Sequence, residues 1–439
     1  MAISKELVDE IFKQFGQDDI NKLSIREMGK LVAQIEQKTG VEFIHMEMGV
    51  PGLPPLQTTV DAEKEALDKG LAALYPDIEG IPFVKNETAR FAKLFMDIDV
   101  TPLNCIPSVG AMQGSFAALL AAARTNKSKP CTLFIDPGFP VNKSQLQLMG
   151  LPFKSFDILE NRGEKLRSTL TAFLKEGDIC TITYSSPNNP SWINFTEEEL
   201  QIIGELATQY DVIVVEDLAY FGMDFRKDYS KPGVPPYQPT VAHYTDNYIL
   251  LLSASKIFSY AGQRIGMMII SESLRTRHYP ELKNYFTSDV LGHFIPYGAL
   301  YATTAGTSHT AQYAFAATLK AVNDGKINFL DALKEYAEKA KRMKEIFLKN
   351  GFYIVYKENN DELADGFYFT VAYPNMTSSQ LMKNFLYYGL SAISLSITGS
   401  KDNHGLRVCV SFVRQEQIPV LAERLKEFSE DMKKTNKFL

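Results

Sequence analysis

Four cysteines, at positions 105, 131, 180 and 409 of 439, leave no C-x-x-C pair and no disulfide framework. The six histidines include no i,i+4 pair, so no structural metal is expected. Positive charge is not in excess either: 46 Lys and Arg stand against 52 Asp and Glu, a formal net charge of -6. That balance gives no electrostatic reason to expect nucleic acid or an anionic membrane. No stretch approaches the ~20 apolar residues of a membrane-spanning helix. The first residues, "MAISKELVDEIFKQFGQDD", lack the apolar core of a signal peptide. These absences lead us to expect a metal-free protein of the reducing cytoplasm. Tryptophan occurs once, as Trp192.

What is present is ordinary globular composition, 45% hydrophobic and 22% charged, long enough for two or three domains. Ser24-x-x-Glu27 reads as a capping box ahead of Met28, Leu31, Val32 and Ile35 on one helical face. From about 55 to 320, short apolar runs ("CTLFIDP", "DICTITYSSP", "DVIVVED", "YILLLSAS", "GMMIIS") alternate with helix-period segments. Continuous rather than alternating apolar runs are expected of strands covered on both faces. The segment opening at Thr196-x-x-Glu199 and running into "DVIVVED" predicts a helix followed by a strand. Beyond about 320 come a long amphipathic helix over 329–351, strand-like "FYIVYK", "GFYFTVAYP" and "LRVCVSF", and a last amphipathic helix. The expected fold is α/β: a large domain over 55–320 with a mostly parallel central sheet covered by helices. A smaller α+β domain is expected from 1–54 and 321–439.

In open α/β sheets ligands sit beyond the carboxyl ends of the strands. The residues there form a coherent set. Asn189 follows one run, Asp217 ends another with Tyr220 three residues on, Lys256 follows a third and Phe139 a fourth. Gly110, Ala111 and Met112 open a predicted helix, whose free N–H groups suit a phosphate. A lysine amine condenses with an aldehyde. A strand-end carboxylate keeps a pyridine nitrogen protonated. Asn189 and Tyr220 suit a phenolate oxygen, Phe139 can stack on a ring, and Arg264, Ser253 and Ser255 suit a phosphate. In "LRVCVSF", alternation puts Leu406, Val408, Val410 and Phe412 on one face and Arg407, Cys409 and Ser411 on the other.

The run Ser253-x-Ser255-Lys256-(7)-Arg264-x-Gly266 resembles the lysine motif of fold-type I pyridoxal-phosphate aminotransferases, class I/II. "YPDIEG", "PSVGAMQGSF", "SPNNPS", "EDLAY" and "LRVCVSF" resemble that family's other signatures, over roughly 45–412. The resemblance implies pyridoxal 5'-phosphate as cofactor and amino exchange between an L-amino acid, such as aspartate or an aromatic one, and a 2-oxo acid such as 2-oxoglutarate. It makes Lys256 the Schiff-base lysine and the proton-moving base. Asp217 is then the partner of the ring nitrogen, and Asn189 and Tyr220 are the phenolate contacts. It assigns Arg407 and Gly49 to the substrate α-carboxylate. Tyr75 is assigned to the phosphate in the neighbouring subunit, which implies a homodimer.

The resemblance leaves the reaction's outcome open, since a carbon–sulfur β-lyase starts from the same carbanion. A non-catalytic cofactor-sensing module is a third reading, disfavoured by the short N-terminal region without a helix-turn-helix. Trp192 stands where many relatives have glycine, and is expected either to pack nearby or to wall the substrate pocket. Residues 289–309 match nothing in the family pattern, and nothing read from the sequence selects a substrate side chain.

Overall fold

The computed structural model describes residues 3–358, 363–401 and 404–436. Its central feature is a seven-stranded sheet. In spatial order the strands are Cys105–Ser108, Gly266–Ile270, Tyr248–Ser253, Ile213–Leu218, Ile179–Ser185, Cys131–Asp136 and Phe153–Asp157. Gly266–Ile270 is antiparallel to both its neighbours; the other pairings are parallel.

The apolar runs become strands because both faces are covered. Val214, Leu250, Leu252, Met267 and Ile269 point into one apolar cluster. The alternate residues Ile213, Val215, Ile249, Leu251, Met268 and Ile270 point into a second. A period of two with apolar side chains on both phases makes an uninterrupted run. The helix Gly110–Arg124 fills the second cluster with Ala117, Ala118, Ala121 and Ala122, whose small side chains let it lie close to the sheet.

Chain ends meet in smaller sheets. Ile44–His45 pairs in parallel with Leu390–Ser391. An antiparallel sheet orders Ile393–Ser394, Leu406–Cys409, Tyr368–Ala372 and Tyr353–Ile354. Both expected capping boxes form: Ser24 and Glu27 start the helix Ile25–Thr39, and Thr196 and Glu199 start Glu197–Tyr210.

Three local expectations need correction. The amphipathic helix starts at Lys334, because Phe329, Leu330 and Leu333 turn inward as buried turn residues instead. "FYIVYK" yields only the two-residue strand Tyr353–Ile354. The Arg407 strand ends at Cys409, and Phe412, assigned to its core face, is 49% exposed. Val410 still reaches the core, and the chain then turns at Ser411 and Phe412, which takes Phe412 off that face. Among the described residues, 294–300 form a π-helix inside the stretch that matched no family pattern.

Candidate active site

One cavity of about 660 Å³ opens at the carboxyl ends of the central strands. Register brings the chemistry there. Ser185, Asp217 and Leu251 are lateral neighbours on three adjacent strands, and Ser253, on the same strand as Leu251, continues the row to Gly266 and Ser108 on two more.

Lys256 sits on the short helix Ala254–Ile257, started by the Ser253 hydroxyl accepting from the Ser255 N–H at 3.2 Å. Its ammonium donates to the Gly49 carbonyl and lies 5.6 Å from the centre of the Phe367 ring. Burial, helped by the charges of Arg407 and Arg264, pulls its pKa down to about 8. Near neutral pH an appreciable share of the amine is therefore free to act as a nucleophile.

Asp217 accepts from the Ala219 N–H at 3.0 Å. Burial pushes this carboxyl up to about 6. No cation pairs with it among the described residues, which leaves a buried carboxylate short of a positive partner. A protonated ring nitrogen is such a partner.

The phosphate-type subsite depends on two close approaches. A Cβ at Gly110 would stand 2.5 Å from Arg264 Nη2, and one at Gly266 would stand 2.7 Å from the Leu252 carbonyl oxygen. Gly110 also has φ +66°, a conformation that glycine adopts without a Cβ clash. Arg264 is held by the Ala261 carbonyl at 2.8 Å, with the Ser255 hydroxyl at 3.4 Å. Ala111, Met112, Ser253 and Ser255 line the same wall, and Gly110 stands directly behind it.

Arg407 is the large buried cation of the site, 2% exposed. It donates to Asn189 Oδ1 at 3.2 Å and to the Glu47 carbonyl, and its guanidinium lies 4.6 Å from the centre of the Tyr368 ring. Its Nε has no hydrogen-bond partner. A buried, incompletely satisfied guanidinium facing a cavity favours an anion. Gly49, Phe139, Asn189 and Tyr220 line the cavity too.

Tyr75 is the exception among the expected residues. It is 88% exposed and does not reach the cavity of its own chain. Conversely, three lining residues carried no signal in the sequence. The Tyr368 hydroxyl lies 2.8 Å from that of Tyr220, and a Cβ at Gly49 would collide with it at 2.0 Å. Tyr368 sits in an aromatic run where neighbours look alike, so only the fold singles it out. Lys22 and Arg26 line the mouth, and nothing in the sequence separates them from other surface cations.

Trp192 is fully buried and packs inside the protein instead of walling the cavity. Its rings lie 5.3 Å from Tyr220 and 6.1 Å from Tyr368, and its edge fills the space a Cβ on Gly366 would need. Its φ of +62° is the left-handed conformation that glycine adopts readily. The glycine expected from relatives is thus replaced by a side chain that braces the two tyrosines from behind.

A partly deprotonated lysine, an unpaired strand-end carboxylate and two arginines surround one cavity, a set of groups chemically suited to an anionic carbonyl compound. Residues 41–425 match the profile described as aminotransferase class I and II, and the chain belongs to that family. The aspartate aminotransferase of Pyrococcus horikoshii is 24% identical over 255 residues, 57% of this chain and 60% of that protein. The LL-diaminopimelate aminotransferase of Natranaerobius thermophilus is 23% identical over 410 residues, 92% and 95% of the two chains. With several other curated relatives the match spans about three fifths of their length. Among solved structures, an aspartate aminotransferase from Thermotoga maritima superposes with a TM-score of 0.74 at 17% identity, covering 93% of this chain and 97% of that one. An aminotransferase from Mycobacterium tuberculosis gives 0.76 at 16% identity, with 93% and 96% covered.

Proposed function

We propose that this protein is a pyridoxal-phosphate-dependent aminotransferase that moves the amino group of an L-amino acid to a 2-oxo acid such as 2-oxoglutarate. The observation that carries this reading is Lys256, a buried amine with pKa about 8, sharing one cavity with Asp217 and Arg407. The cofactor would supply an aldehyde for amine exchange and a protonated ring that accepts the electron pair of the substrate α-carbon.

The chain's own residues do the rest. Asp217, ionised above about pH 6, holds the proton on the ring nitrogen. Tyr220, backed by Tyr368, and Asn189 would hold the ring oxygen, and Phe139 would lie against the ring. Arg264, Ser253, Ser255 and the N–H groups at Gly110, Ala111 and Met112 hold the phosphate. Arg407, with Gly49, takes the substrate α-carboxylate through a bidentate pair. Lys256 would exchange with the incoming amine and serve as the base that moves the proton from the substrate α-carbon.

The proposal extends to a homodimer in which Tyr75 serves the neighbouring site. It is supported by the exposure of the large apolar side chains of Leu74, Tyr75 and Tyr301. The division into 55–320 and 1–54 with 321–439, and a cytoplasmic location, belong to the same reading. Four buried free thiols support the latter. The test is half-transamination: the bound cofactor's absorbance should change with at least one L-amino acid and return with a 2-oxo acid. Pyruvate release from cystathionine without an acceptor would instead indicate a β-lyase, and inertness toward all twenty amino acids would remove the reading.

A further inference from the structure

Three groups set the direction of the Arg407 guanidinium: Asn189 Oδ1 at 3.2 Å, the Tyr368 ring at 4.6 Å and the carbonyl of Glu47. Asn189 and Tyr368 line the cavity, whereas Glu47 stands outside it. Glu47 follows the strand Ile44–His45 and precedes Met48, Gly49 and Val50, which do line it. Backbone pairing holds the chain up to Met46, whose N–H donates to the Ser391 carbonyl at 3.0 Å and whose carbonyl accepts from the Cys409 N–H at 2.9 Å. Beyond that point the side chain of Glu47 takes over.

The Glu47 carboxylate is fully buried, and the proposed reaction makes no use of it. One oxygen accepts from the Ser391 hydroxyl, and the other meets His45 Nδ1 at 2.8 Å. His45 Nε2 lies 3.3 Å from Glu36 Oε1, which also accepts from the Phe43 N–H at 2.8 Å. Ionised carboxylates only accept, so a ring between two of them carries both protons and is cationic. Hydrogen bonding to Glu47 lifts the His45 titration above its ordinary value, helped by the charges of Glu47 and Glu36. Burial pushes the Glu47 carboxyl up, but His45 and Ser391 outweigh it and leave the group below its usual range.

The surroundings of this pair are few. The helix Ile25–Thr39 supplies Glu36 and lies close over Glu47, where a Cβ at Gly29 would stand 4.0 Å from Oε1. Leu390–Ser391 supplies the hydroxyl, and the Phe412 ring meets His45 edge-on at 6.5 Å. Among the described residues, the ion pairs of His45 are with Glu36 and Glu47. A buried carboxylate is costly to leave without its cation, so the pair fixes the backbone from which it hangs.

We propose that Glu47 is a positioning residue for Arg407: its carboxylate, pinned by His45 and Ser391, fixes the peptide carbonyl that aims the guanidinium at the substrate α-carboxylate. The proposal rests on the role given to Arg407 in the transaminase reading. A bidentate pair needs the guanidinium fork in the plane of the carboxylate. A carbonyl free to swing therefore weakens binding without touching the reacting atoms.

The experiment compares cofactor-loaded wild type with Glu47→Gln and His45→Gln, titrated by calorimetry with butyrate, an unreactive monocarboxylate. Glu47→Gln should bind butyrate about three- to tenfold more weakly and raise KM for every amino acid by a similar factor, with kcat within about twofold. His45→Gln, changed at a side chain 25% exposed, should act in the same direction, and it decides alone if Glu47→Gln fails to fold. The affinity of wild type relative to Glu47→Gln at the same pH should fall as pH rises above the ordinary imidazole range, where His45 gives up its second proton. Taking that ratio cancels the titrations of Lys256 and Asp217, which both proteins share. Unchanged butyrate affinity overturns the role even if Tm falls, since Glu47 would then support only the fold. A ratio that is flat in pH overturns it too. If no amino acid reacts but butyrate binding weakens as expected, the positioning role stands and the assigned reaction fails.

Discussion

At the floor of the cavity Asp217 and Lys256 are withdrawn from water, and burial moves both titrations toward neutrality, to about 6 and about 8. At the mouth Lys22 and Arg26 stay in solvent, with no opposite charge bound to either among the described residues. The floor tunes reactivity by desolvation, which acts on a group's own protonation. The mouth offers charge that counts only when a ligand supplies the complement, and solvent screens it until then. On the proposed function, the chemistry common to all substrates would sit deep.

Removing the floor amine should have the largest effect. Lys256→Ala should lower turnover by roughly 10³-fold or more, measured in steady state on the loaded enzyme, since both the exchanging amine and the moving base disappear. Loading of the wild-type apo protein should quicken as pH rises through about 8, when the buried ammonium gives up its proton. Arg407→Ala should lower kcat/KM by roughly 10²-fold for every amino acid tried, whatever its side chain. If that loss depended on the side chain, the assignment of Arg407 to the shared α-carboxylate would break.

Asp217 gives a smaller effect, and one that runs against activity. The unfolded carboxyl ionises near 3.8 and the folded one near 6. The raised folded value means its contribution to stability is fully present below pH about 4 and is lost as pH rises through about 6. Asp217→Asn should therefore stabilise the apo protein at pH 8 by on the order of 3 kcal/mol, with little change at pH 4, while impairing turnover. Denaturant unfolding at the two pH values measures it. The smallest effect should be that of Tyr368→Phe, which removes one hydroxyl partner of Tyr220. A net hydrogen bond is worth about 1 kcal/mol, so kcat should fall severalfold and the pH midpoint of the bound cofactor's absorbance should move.

The floor was readable because each of its residues follows its own apolar run, and parallel strands bring their ends to one edge. Asp217, Lys256, Asn189 and Phe139 stood out as a set on that basis, Phe139 mainly through the family resemblance, and all four line the cavity. Arg407 was readable from alternation, although the same alternation misplaced Phe412 once the ladder ended at Cys409. Tyr368, Lys22 and Arg26 gave no comparable signal. One lies in a strand aromatic on both phases, and the others belong to a surface rich in lysine and arginine. Trp192 was visible as a departure, but its burial behind Tyr220 and Tyr368 follows from Gly366 leaving room for the indole.

By itself the sequence determined the α/β architecture and, through its motifs, the family, and it picked out candidate residues for the reactive centre, because apolar runs and the motifs just past them are local properties. Tertiary structure alone decided which distant segments close over that centre. The Tyr368 strand and the turn at Lys22 reach the cavity through packing of chain ends hundreds of residues apart. Contacts of that kind depend on shape and on the space left by glycines, and these emerge only when the chain is folded.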